Sequence, residues 1–117
     1  MEHNRELGRI GELEAQKYLK ENGYKIIETN YRCPLGEIDI IAKDKGELVF
    51  IEVKTRTSKK YGSPIEAINK KKQNSIMKSA QFYLNRKNLN DVNVRFDAVE
   101  VIINNSTTVE ITKGIMY

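Results

Sequence analysis

Apolar positions along the chain switch between two spacings. Leu7, Ile10, Ala15, Tyr18 and Leu19 recur at helical intervals, which predicts an amphipathic helix from about Asn4 to Asn22. Asn22-Gly23 closes it, with Gly23 as the left-handed cap. Tyr24 to Thr29 then reads as a short strand, and Asn30 to Leu35 as a connection punctuated by Pro34 and Gly36. Glu37–Lys43 and Leu48–Thr55 are strand-like runs joined by Asp44-Lys45-Gly46-Glu47, which reads as an antiparallel hairpin. After a polar loop, Ser63 with Pro64 and Glu66 reads as a helix start, and Ile65, Ile68, Ile76, Ala80, Tyr83 and Leu84 carry the helix to about Arg86. Val92–Ile103 and Thr108–Thr112 add two strands. The order α-β-β-β-α-β-β predicts an α/β domain with a mixed sheet flanked by helices, one domain over residues 1–117.

Asp39, Glu52 and Lys54 interrupt the apolar pattern of the hairpin. Side chains alternate faces along a strand. Glu37 and Asp39 therefore point one way, and Ile38, Ile40 and Ala42 the other. On the next strand Phe50, Glu52, Lys54 and Arg56 share a face opposite Val49, Ile51, Val53 and Thr55. The short link brings Asp39 and Glu52 to similar heights on neighbouring strands. Two carboxylates there suit a hard dication, Mg²⁺ or Mn²⁺, held through oxygen. Such an ion polarises a phosphoryl group and acidifies water, and a nearby lysine can hold the attacking water or offset charge on the phosphate. A solvated face with a cross-strand ion pair explains Glu52-Val53-Lys54 as well.

Composition narrows the rest. The chain has 117 residues, 39% hydrophobic and 31% charged, which is a globular rather than a disordered balance. No apolar run approaches the roughly 18 residues of a membrane span, and the polar start MEHNRELGRIGE does not resemble a signal peptide. One cysteine, Cys33, excludes an intrachain disulfide and fits the reducing cytoplasm. Cys33 and the single histidine, His3, are too few for structural zinc.

A net charge of +4 permits a nucleic-acid partner without demanding one. The positive residues are densest at Lys59-Lys60, Lys70-Lys71-Lys72 and Lys78, the footprint expected for a phosphate backbone and also of an ordinary solvated face. Gln73 is a candidate to hydrogen-bond a phosphate or a base edge, and Tyr61 and Arg56 are further candidate backbone contacts. No base-reading motif is present, so recognition is expected to follow shape rather than sequence. Arg95 and Asp97 share a strand face and read as an ion pair supporting the sheet.

Several short motifs then fall in a recognisable order. They are Gly8-x-x-Gly11-Glu12-x-x-Ala15-x-x-Tyr18-Leu19, Gly23-Tyr24, Asn30-x-Arg32, Gly36-Glu37-Ile38-Asp39, Phe50-Ile51-Glu52-Val53-Lys54-x-Arg56, Tyr61-Gly62, Lys72 with Ala80, and Arg95-Phe96-Asp97-Ala98-Val99. Together they resemble the YraN family of small bacterial proteins. That family is similar to the PD-(D/E)xK nuclease superfamily, near the archaeal Holliday-junction resolvases. The resemblance implies a restriction-endonuclease-like core. It matches Asp39 to the superfamily's first aspartate, Glu52 and Lys54 to its E-x-K pair, and Glu12 to an acid on the first helix. Ile38 stands where the motif has proline.

The implied activity is metal-dependent endonucleolytic hydrolysis of DNA, branched DNA included. Asp39, Glu52 and Glu12 would hold the metal, and Lys54 would position the water. Cutting both strands of a junction needs two centres, so a homodimer is the implied assembly. A non-catalytic nucleic-acid-binding module and a protein-interaction subunit are the alternatives. Glu12, at the border of the apolar stripe, also fits an ordinary surface acid, and Glu37 is a lesser candidate. Gly8 and Gly11, each weakening the helix by about 1 kcal/mol relative to alanine, predict close approach of another segment.

Overall fold

Two apolar clusters, one on each face of a single five-stranded sheet, organise the chain. The computed structural model describes residues 2–57 and 69–115. In chain order the elements are α1 (Glu2–Glu21), β1 (Lys25–Cys33), β2 (Gly36–Asp44), β3 (Glu47–Arg56), α2 (Lys70–Arg86), β4 (Asn93–Ile103) and β5 (Thr107–Lys113). The expected α/β class and element order are therefore observed. The strands lie in the order β1-β2-β3-β4-β5, all antiparallel neighbours except the parallel pair β3 and β4, which α2 connects. On one face Ala15 and Leu19 of α1 pack on Ile40, Ala42, Val49, Ile51, Val99 and Val101. On the other, Ile76, Ala80 and Tyr83 of α2 pack on Ile38, Ile41, Leu48, Phe50, Phe96 and Ala98.

Several local readings are refined. Gly23 caps α1 at φ +90, with the Tyr24 N–H donating to Leu19 O (2.9 Å). Ile10, expected in the apolar stripe, is 38% exposed. β1 runs on through the expected connection to Cys33, because its ladder with β2 continues to Cys33 opposite Gly36. Asn30 permits this by adopting φ 52 within the strand. Lys45 and Gly46 turn the β2–β3 hairpin with φ 51 and 83, the pair of positive values a type I′ turn requires.

The proposed helix start at Ser63 lies outside the described residues. In the described chain α2 begins after Asn69, whose Oδ1 accepts from the Lys72 N–H (2.8 Å).

Arg95 and Asp97 do form the expected ion pair, inside a larger network. The Arg95 guanidinium donates to both Asp97 oxygens at 2.9 Å, to Glu47 at 2.8 Å and to Asp44 at 2.7 Å. The Tyr24 hydroxyl donates to Asp97 (2.9 Å), and the Lys113 ammonium reaches Asp44 (3.3 Å). Burial acts against the charge of Asp44, but Arg95 and Lys113 hold its carboxyl below the ordinary range. This network ties the α1–β1 connection, the β2–β3 hairpin, β4 and β5 together at the end of the sheet where β3 and β4 begin.

Candidate active site

The candidate site forms where β2 and β3 part. Their ladder runs from Asp44 opposite Glu47 to Ile40 opposite Ile51 and stops there. β3 continues beside β4 as far as Arg56 opposite Ile102. The next cross-strand neighbours would be Asp39 and Glu52. The Asp39 carboxylate instead accepts the Val53 N–H (2.8 Å), replacing a main-chain partner that β2 no longer supplies. The strict alternation expected for Ile38, Ile40 and Ala42 breaks at this fork. Ile40 and Ala42 face α1, and Ile38 faces α2. Gly36, at φ +150, lets the start of β2 approach α2, where a Cβ would lie 2.3 Å from Ser75 Oγ.

Asp39 and Glu52 do share one patch, as their heights on the two strands predict. The Glu52 side chain is 13% exposed. Its Oε2 lies 3.3 Å from the Lys72 ammonium of α2, while Oε1 is buried and receives no hydrogen bond among the described residues. Burial, then the Asp39 charge, push the Glu52 carboxyl up to about 8. Burial also raises Asp39, against the opposing pull of the Val53 N–H. Glu12 approaches from α1; burial and then the charges of Asp39 and Glu37 raise its carboxyl. Asp39 is thus felt by an acid on each side of the sheet. Burial acts against the Lys72 charge, but Glu52 more than offsets it and the ammonium titrates above its ordinary range.

These residues fit an oxygen-bound dication. A buried carboxyl beside a second acid, with one oxygen lacking a donor, is poorly satisfied by protein groups alone. Among the described residues no three of His, Cys, Asp and Glu close a metal cage. Asp39 and Glu52 make an open two-carboxylate site, the kind Mg²⁺ uses when water and phosphate fill its remaining positions.

The remaining candidates are dispersed. Lys54 is exposed and lines a cleft of about 340 Å³ with Leu7, Gly8, Glu12, Val53 and Thr55. Gly11 makes the predicted close approach: a Cβ there would lie 1.9 Å from Thr55 Oγ1. Gly8 does not, since nothing among the described residues lies within 4 Å of a Cβ there, and it lines the cleft instead. Arg56 pairs with the buried Glu100 and is itself largely covered. Lys71 and Lys78 are exposed on α2, and Gln73 is half-buried. Lys59, Lys60 and Tyr61 lie outside the described residues.

Two contributions to the site were not evident from the sequence. The Val53 N–H carries no side-chain signal. Lys72 reads as one of a run until the helix start is fixed at Asn69, which places it in the first turn. Three lysines there oppose the helix dipole, a local cost offset for Lys72 by Glu52.

The chain matches the model of an uncharacterised protein family, UPF0102, over residues 11–101, a span that includes Glu12, Asp39, Glu52, Lys54 and Lys72. It is 57% identical over 102 residues to a UPF0102 protein of Clostridium botulinum strain 657, covering 86% of this chain and 83% of that one. It is 48% identical over 103 residues to a UPF0102 protein of Clostridium tetani, covering 88% and 84%. No helix among the described residues is long and apolar enough to cross a membrane.

Proposed function

The chain belongs to the uncharacterised protein family UPF0102, also called the YraN family, and we propose that it is a metal-dependent endonuclease that hydrolyses phosphodiester bonds in DNA, branched DNA included. One observation carries the proposal: Asp39 and Glu52 meet at a strand fork, with Glu52 Oε1 buried and donorless. Asp39 and Glu52 would hold Mg²⁺ or Mn²⁺, with Glu12 as a further acid. The ion, when bound, would neutralise charge on the scissile phosphate and make water acidic enough to attack it. The Val53 N–H fixes the Asp39 carboxylate, so its orientation does not depend on the ion. Lys54 holds the attacking water from the cleft it lines. Lys72 balances Glu52 and contributes positive charge toward the phosphate. Lys71 and Lys78 draw the strand to α2 by charge.

The test uses single-stranded, duplex and four-way-junction DNA with Mg²⁺, Mn²⁺ or EDTA. Cutting is expected with either metal, none in EDTA, and a loss of about 10²–10³-fold in Asp39→Ala and in Lys54→Ala. Salt-sensitive binding of every substrate without cutting would overturn the enzyme. It would favour a non-catalytic binding module instead, a reading supported by the pairing of Lys72 with Glu52. Junction cutting requires two centres, so sedimentation of the active species on a junction is expected to show two copies of the chain.

A further inference from the structure

A second cleft lies on the α2 side of the sheet, away from the carboxylate pair. It has a volume of about 490 Å³ and opens between the β1–β2 hairpin tip and the C-terminal half of α2. Its walls combine Tyr31, Phe82 and Tyr83 with Arg32, Arg86 and Lys87. Tyr31 meets Tyr83 edge to face at 5.2 Å between centroids. Phe82 is half-buried, with the Arg86 guanidinium 5.8 Å from its ring centroid, and Lys87 stands 5.8 Å from the Tyr83 ring. Arg32, Arg86 and Lys87 are all exposed. Glu37 is held by Arg32 at 3.7 Å, and Glu28 acts on Tyr31 and Tyr83 from β1. The three cations leave the rim net positive.

The cleft is aligned with the candidate site. Lys72, Ser75, Ser79, Phe82 and Arg86 follow one another at three- and four-residue steps and form one stripe of α2. Its first member pairs with Glu52, its middle members pack on Gly36, and its last members line the cleft. All seventeen residues of α2 are free of Asp and Glu. The helix itself therefore presents no like charge to a phosphate chain, although Ser79, 0% exposed, lies beneath the start of β2. Lys72 and Arg86 are about 21 Å apart along the helix axis, the length of about six phosphates in a duplex strand at 3.4 Å each.

We infer that this cleft is a nucleotide subsite, taking one unpaired base against Phe82 and Tyr31 with its phosphates on Arg32, Arg86 and Lys87. The inference rests on reading the chain as a nucleic-acid-handling protein, and it specifies which part of the substrate the protein senses. A base within a duplex keeps its π-face stacked and cannot enter. An unpaired base can, because aromatic stacking is sequence-tolerant. The subsite thus selects irregular DNA with an unpaired nucleotide about six positions from the bond at the carboxylates.

The test is metal-free. Anisotropy of a labelled oligothymidylate and of a labelled duplex is measured in EDTA for the full chain, Phe82→Ala, Phe82→Tyr and Arg86→Glu/Lys87→Glu. The ratio of single-strand to duplex affinity is expected to fall about tenfold in Phe82→Ala and to be restored in Phe82→Tyr. The double variant is expected to lose at least about tenfold in single-strand affinity and to flatten the log–log salt slope by about 1.4. Its two positions are exposed, so it remains a fair test if Phe82→Ala folds poorly. Single-strand binding that is absent in the natural chain, or unchanged in all variants, overturns the subsite. A chain that cuts no DNA, yet loses single-strand affinity in these variants, overturns the nuclease and supports the subsite. A chain that cuts, with variants binding as it does, overturns the subsite alone.

Discussion

Glu52 is a carboxyl that folding leaves short of hydrogen-bond donors. Its ordinary value of 4.5 rises to about 8 through burial and then the Asp39 charge. Between those values the folded chain keeps a proton that the unfolded chain has released. Stability of the metal-free protein is therefore expected to fall as pH rises from about 4.5 to 8. Glu52→Gln, which cannot ionise, is expected to flatten that slope and stabilise the metal-free chain at pH 8 by on the order of 2–4 kcal/mol. Urea unfolding at pH 5 and pH 8 measures both effects; an unchanged slope would mean that Glu52 is already ionised near its ordinary value. Adding Mn²⁺ at pH 8 is expected to raise the natural chain's melting temperature and to leave Asp39→Ala unmoved. The carboxylate pair was legible in the sequence because strand alternation and a short turn fix the heights of both residues. The partners that complete the pair were not. The Val53 N–H leaves no mark in a sequence, and Lys72 depends on where a helix begins.

Gly8 and Gly11 sit one turn apart on α1 and have opposite surroundings. A Cβ at position 11 would meet Thr55 Oγ1 at 1.9 Å, whereas one at position 8 would meet nothing within 4 Å among the described residues. Gly11→Ala is therefore expected to destabilise by about 1–3 kcal/mol, and Thr55→Ala to recover much of that loss. Gly8→Ala is expected to stabilise by about 1 kcal/mol. Denaturant midpoints of the three variants decide it. The sequence marks both glycines as helix-weakening but cannot say which one touches a neighbour, because that depends on where α1 crosses β3. The element boundaries divide in the same way. β2, β3, β4 and β5 follow their apolar runs closely. β1 outran its apolar stretch because ladder partners on β2 were available to Tyr31, Arg32 and Cys33. Pairing between strands overrode local preference there.

The sheet carries its two polar assemblies at opposite ends. Glu47 and Glu52, five residues apart on β3, lie about 17 Å apart along the strand. The Arg95 network at one end has nearly all its charges paired, and it fastens four elements. The carboxylate pair at the other end is left short of donors. Arg95→Ala would leave Asp97, 0% exposed, and Asp44, 3% exposed, without their guanidinium. A loss of about 3–5 kcal/mol is expected from calorimetry or chemical unfolding. Retained metal binding by the remaining folded fraction would show that the damage is global rather than local to the strand fork. The Arg95–Asp97 pairing was legible from the i, i+2 spacing. Tyr24, Asp44, Glu47 and Lys113 were not, because three other elements bring them in.

The single parallel pairing has a consequence for how the chain reaches this state. β1, β2 and β3 are joined by tight turns and can assemble from neighbouring segments in microseconds. β4 is separated from β3 by α2, and Asn93 must find Glu47 across the intervening chain. Until it does, one edge of β3, with Val49, Phe50 and Ile51, is an open template for a strand from another molecule. Refolding yield is therefore set by the race between α2-guided closure and bimolecular capture, and it falls as protein concentration rises.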